Sequence, residues 1–223
     1  MLKHVPRLAA QQGAALVEFQ IVAILALLPL LLGLLQGALL LIASHTLGYA
    51  TFQAARSGAT AGADPQVMRR ALAVGLLPLH AATFEAITTR NVATVALSAY
   101  ARSVAATAAF AQVQILSPSQ AAFDDFALPD AAGTLVIRSD ALPHRSLDPG
   151  PRSGLSIQQA NLLRIRVVYC HPLLVPLVDG VLLSVLRQFT TDLRAQACYA
   201  AGRVPLQAEA TLNMQSDARF HGP

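Results

Sequence analysis

The chain has 223 residues, of which 54% are apolar and only 13% charged, with a net charge of +4 and no Trp. That composition excludes a disordered chain and favours a membrane-associated one, with room for one apolar span and a modest domain. The basic residues are scattered rather than gathered on a face with interleaved aromatics, so the positive balance does not indicate nucleic acid.

The first element is an apolar helix. Ile21 to Ala43 holds no ionisable side chain, about 23 positions where about 20 suffice to cross a bilayer. Pro29 and Gln36 interrupt it, and both are tolerated where neighbouring groups satisfy the freed polar atoms. A cleaved secretory signal would have a core of about 7–15 residues, so the run reads as a retained anchor. Lys3, His4 and Arg7 precede it without an acid, which places the N-terminus in the cytoplasm and everything after about His45 outside. Gly33 and Gly37, with Gln36 beside them, have the GxxxG spacing that lets helices approach closely, and Gly58 with Gly62 repeats it. Chance in an Ala-, Gly- and Leu-rich chain produces the same spacing.

Glu18 stands at the mouth of the apolar run. In the first turn of a helix an acid complements the helix dipole, and at an interface it escapes part of its desolvation cost. On that reading Glu18 marks the cytoplasmic border of the membrane.

Beyond Ala63, Asp64 as N-cap and Pro65 at the first helical position start a second helix, which Pro78 limits. Asn91 to Ala111 is Ala-rich, with Val92, Val95, Ala99 and Tyr100 at helical spacing. Val113–Ser117 and Thr134–Arg138 read as short strands, and Asp140–Gly154, with its prolines and glycines, as a loop. Leu163, Ile165, Val167 and Tyr169 alternate with Arg164 and Arg166. Val204, Leu206, Ala208, Ala210, Leu212 and Met214 alternate with polar or small residues. A period of two marks half-buried strands of an antiparallel sheet, and Pro205 places the second of them at an edge. The fold class is therefore α+β: a long helix over 14–63, transmembrane at about 21–43, carrying an extracytoplasmic domain over 64–223.

Leu173 to Leu186 is a second apolar stretch of about 14 residues, too short to span. It contains Pro176 and Asp179, and crossing would return Cys198 to the cytoplasm. It is expected to pack on the domain, on a partner or on the outer membrane surface. Cys170 and Cys198 flank it. Outside the cytoplasm they could close a loop worth roughly 3–4 kcal/mol; two unrelated buried thiols are the alternative.

No catalytic pattern emerges. Asp140, His144, Ser146 and Asp148 share a polar loop, but no Gly-x-Ser-x-Gly or HExxH context surrounds them. Cys170-His171 lacks a second pair at metal-ligand spacing, and no phosphate-binding Gly-rich loop occurs. The chain is not expected to be an enzyme, nor to hold a metal, a cofactor or a small-molecule substrate.

Gly13-Ala14-Ala15-Leu16-Val17-Glu18-Phe19, after a short basic leader and before the apolar helix, resembles a prepilin-type processing site. Together with Ala54–Ala63, Leu162–Val178 and Arg203–Gln215, it resembles the TadE-like minor pseudopilins of the tight-adherence (Flp-type) pilus. The resemblance implies a leader, 1–13, removed by a prepilin peptidase after Gly13. Ala14 then becomes the N-terminus and Glu18 the fifth residue, with Phe19 following. It also implies a bacterial inner-membrane subunit that assembles with other pilins, pseudopilins and pilus-assembly proteins. The carboxylate of Glu18 would pair with the new α-ammonium group of a neighbour, since charges in apolar surroundings are tolerable when paired. The alternative is an uncleaved single-span anchor whose outer domain binds another envelope protein.

Overall fold

A proline inside a long helix removes one backbone donor and crowds the carbonyl one turn earlier, and the consequence is visible at the start of this chain. The computed structural model describes residues 12–80 and 92–221. Lys3, His4, Arg7 and Asn91 lie outside the described residues. Helices α1 (Gln12–Val22) and α2 (Leu28–Thr60) are joined by a single widened turn of π-helix, Ala23–Leu27. The Leu28 N–H reaches back five residues to the Ala23 carbonyl, so the irregularity falls directly before Pro29.

The far half of α2 carries a buried stripe made mostly of small residues: Ala43, Leu47, Ala50, Ala54, Ala55, Gly58 and Ala59. Against it pack α3 (Pro65–Gly75) and a sheet. Asp64 caps α3 as its position predicts, accepting from the Gln66 N–H at 2.7 Å, with Pro65 at the first helical position. The helix gives way at Leu76 to the short α4 (Leu77–His80), which contains Pro78. Helix α5 (Val92–Phe110) packs beside α3 and α4 and leads into β1 (Ala111–Ser117). The chain continues through α6 (Gln120–Phe126), β2 (Leu128–Pro129), β3 (Leu135–Ile137), α7 (Ile157–Ala160) and β4 (Leu162–Pro172). It closes with α8 (Val178–Phe189), α9 (Leu193–Ala200), β5 (Arg203–Asn213) and β6 (Ala218–Arg219).

Two antiparallel sheets result, β1-β4-β5 and a smaller β2-β3-β6. The protein is α+β. On β4 the period of two becomes a core face: Leu163, Ile165, Val167 and Tyr169 are fully buried beneath α2. Their neighbours Arg164 and Arg166 face the other way and share the carboxylate of Glu209 on β5, each at 2.7 Å. Those two guanidinium groups hold the Glu209 carboxyl below the usual carboxylate range. Strand β5 lies at the edge of its sheet, where the missing N–H of Pro205 is harmless. The Asp140–Gly154 loop is irregular except for a 3-10 turn at Leu142–His144. Its end is pinned by Asp125 of α6, which accepts from the Ser153 N–H at 2.7 Å.

The glycines decide how closely these layers meet. A Cβ on Gly58 would lie 2.6 Å from the Met68 sulfur, and one on Gly75 would lie 2.6 Å from the Ala50 Cα. Gly58, read from its spacing as half of a helix-packing motif, thus serves the contact between α2 and α3 within one chain. Replacing a helical Gly by Ala ordinarily gains about 1 kcal/mol, but overpacking typically costs about 1–3 kcal/mol. Because the atom met at Gly75 is backbone, the cost wins. Gly75→Ala is expected to lower the melting temperature of the solubilised protein, whereas Gly133→Ala, with no neighbour within 4 Å, retains the α2–α3 packing and loses only what its positive φ demands.

Candidate functional site

The N-terminal helix divides into a bare half and a covered half. None of the side chains from Val17 to Leu35 is buried, with Phe19 69% and Leu25 73% exposed. At 1.5 Å per residue this bare length is about 29 Å, close to the roughly 30 Å of a bilayer's hydrocarbon core. An apolar surface of that extent around a whole helix requires lipid or other helices. By length and apolarity the helix Val17–Thr60 can cross a membrane; Val92–Phe110 passes the same test but is the helix packed on α3 and α4.

Gly13 and Ala14 lie within α1. Glu18 and Phe19 are exposed one turn further on, and among the described residues no cation pairs with Glu18. A Cβ placed on Gly33 or on Gly37 would meet no non-local atom within 4 Å, so that face of the helix is open.

Gln36 behaves differently from its two glycine neighbours. Its side chain is 1% exposed, and its Oε1 accepts from the backbone N–H of Leu174 at 3.1 Å and of Val175 at 2.9 Å. Two N–H donors converging on one atom fix which way the amide points. The chain leaving β4 therefore descends along α2 and closes a collar around Gln36 before turning into α8. Backbone amides outside regular structure need an acceptor, and Gln36 supplies one for two consecutive amides.

Above the collar, Cys170 on β4 and Cys198 on α9 are bridged across 28 positions, with Cα atoms 5.4 Å apart. A loop of that length contributes roughly 3–4 kcal/mol in the chain-entropy description. Beside it lies a polar cluster that the sequence did not suggest. The Tyr169 hydroxyl meets His80 Nε2 at 3.2 Å, Arg203 donates to the Cys170 carbonyl at 3.2 Å and its guanidinium covers the Phe110 ring at 3.6 Å. His171, noted in the sequence only as a possible ligand next to Cys170, is 5% exposed in this cluster. Burial, reinforced by the charges of Arg203 and His80, lowers its pKa from 6.5 to about 4. Among the described residues no group of three or more His, Cys, Asp or Glu side chains could hold a metal ion. In the exposed loop, Arg145 pairs with Asp140 at 3.4 Å and Ser146 donates to Asp148; both are local contacts of loop side chains.

Residues 13–56 match the family model described as TadE-like protein. The chain carries a TadE-like domain. The match begins at Gly13 and ends in the covered half of α2, so it takes in the bare helix, Glu18 and Gln36. No curated protein and no solved structure gives a significant match.

Gln36→Leu removes the acceptor of both amides and strands the buried one of Val175 at a cost of about 1–3 kcal/mol; deuterium uptake at Leu174 and Val175 in the solubilised protein should accelerate, while that of β4 stays slow. Between pH 6.5 and about 4 the unfolded chain binds a proton at His171 that the folded chain does not, so stability falls as pH falls through that window. His80, also lowered by burial and Arg203, adds in the same direction. Thermal unfolding should show a decline over this range, and His171→Gln should flatten it.

Proposed function

We propose that the protein is a TadE-like minor pseudopilin that serves biogenesis of a tight-adherence pilus. Its leader ends at Gly13, a prepilin peptidase exposes Ala14, and Glu18 becomes the fifth residue of a membrane-inserted assembly helix. The observation that carries this reading is the coincidence of the family match, which starts at Gly13, with a helix whose first half is bare on all sides. That bare half suits lateral packing among the helices of other pilins and pseudopilins, with Phe19 and the open Gly33–Gly37 face available for contact.

Glu18 supplies registration. An ion pair between its carboxylate and the α-ammonium group of a neighbouring Ala14 is worth most where the surroundings are apolar, and an unmatched Glu18 there is strongly unfavourable. The Cys170–Cys198 bridge supports an oxidising compartment for the domain. With the basic leader inside, this gives a single-pass inner-membrane protein whose domain faces the periplasm. The expected partners are the membrane, the prepilin peptidase and other pilus subunits.

The test is Glu18→Ala in cells. Membrane fractionation should recover the variant in normal amount, whereas pili on the cell surface should fall sharply. Normal piliation in the variant would remove Glu18 from assembly.

A further inference from the structure

Helix α8 leaves an apolar stripe uncovered. Leu177, Val181, Val185 and Phe189 recur every four residues and are exposed by 75%, 66%, 46% and 80%, and Leu174 just before the helix by 61%. Asp179 and Arg187 occupy the other side, and Arg187 donates to the Tyr199 carbonyl on α9. An apolar stripe of this kind opposite a polar side is the pattern of a helix lying in a membrane interface.

The position of the stripe says what covers it. The segment that feeds α8 is tied to Gln36 through the amides of Leu174 and Val175. Gln36 comes directly after the bare stretch Val17–Leu35, whose length of about 29 Å matches the hydrocarbon core. Helix α8 packs against α2, and the segment that leads into it is held at Gln36, the first buried position beyond that bare stretch. We infer that α8 lies at the acyl–headgroup boundary of the outer leaflet, its stripe among the lipid chains, as a second membrane contact of the domain. This rests on α1 and α2 being the membrane span. One helix leaves a domain free to rotate about its axis and to slide in height. A second contact at the collar fixes both, and with them the direction in which β1-β4-β5 is presented to neighbouring subunits.

The chain contains no Trp, so single substitutions give an unambiguous probe. Full-length Val181→Trp, Phe189→Trp and Leu30→Trp proteins are reconstituted at high dilution in phosphatidylethanolamine–phosphatidylglycerol vesicles, with and without brominated phosphatidylcholine. Leu30 lies in the bare helix and is 59% exposed. Blue-shifted emission and quenching by brominated lipid are expected for Val181→Trp, Phe189→Trp and Leu30→Trp alike. Quenching of Leu30→Trp without that of Val181→Trp and Phe189→Trp would overturn the α8 contact and leave the span intact. Blue-shifted but unquenched emission at Val181 and Phe189 would mean that protein covers the stripe and would equally overturn it. Absence of quenching at Leu30 would refute the span and the inference together.

Discussion

One helix has to satisfy two solvents. From Val17 to Leu35 its side chains are mostly apolar and none is buried, whereas from Ala43 onwards it turns a stripe made mostly of Ala and Gly towards α3 and β4. Large residues such as Leu25 suit surroundings of lipid or other helices, because nothing needs to approach the helix axis closely. Small residues such as Ala50 and Gly58 suit a folded core, because sheet and helix can then lie within contact distance of the backbone. The rest of the molecule follows from that change. The core of the domain is built on the covered half, and the bare half is left for whatever surrounds it.

The collar at Gln36 joins the two regimes. A glutamine in an apolar helix is unfavourable unless its amide is used, and here its oxygen takes two backbone N–H groups from residues 138 and 139 positions away. Those residues are delivered by β4, the central strand of the main sheet, and the excursion they begin is closed by the Cys170–Cys198 bridge. The sheet end, the bridge, the His80–Tyr169–His171–Arg203 cluster and the collar are therefore one continuous region, on the side of the domain nearest the bare helix. The buried His171 and the half-buried His80, both with pKa lowered by burial and by Arg203, make that region less stable as the solution turns acidic.

How much of this could be read from the residues depended on the range of the interaction. The alternation on β4 and the Asp64-Pro65 helix start are local, and both appear at the expected positions. The long helix was legible for the same reason, and Pro29 foretold an interruption without specifying a π-turn. Glycine spacing was ambiguous in kind: it signals close approach but not with what, and Gly58 meets Met68 of its own chain. The partner of Gln36 was invisible, since nothing near residue 36 points to residue 174. The place of His171 was not legible either: set aside as a metal ligand for want of a second pair, it turns inward on β4, where alternation puts it on the opposite face from Cys170. The short helices α6 and α9 lack enough turns to show a period.

What gives the bare helix its meaning is where the mature chain begins. Counted from Met1, Glu18 is a charge at the edge of an apolar run; counted from Ala14, as proposed, it would be the fifth residue of an assembly helix. The most direct measurement is the N-terminal sequence, with intact mass, of the protein extracted from bacterial membranes. A single mature species starting at Ala14 is the expected result, lighter than the unprocessed chain by the mass of residues 1–13. A chain retaining Met1 and the residues up to Gly13 would contradict it.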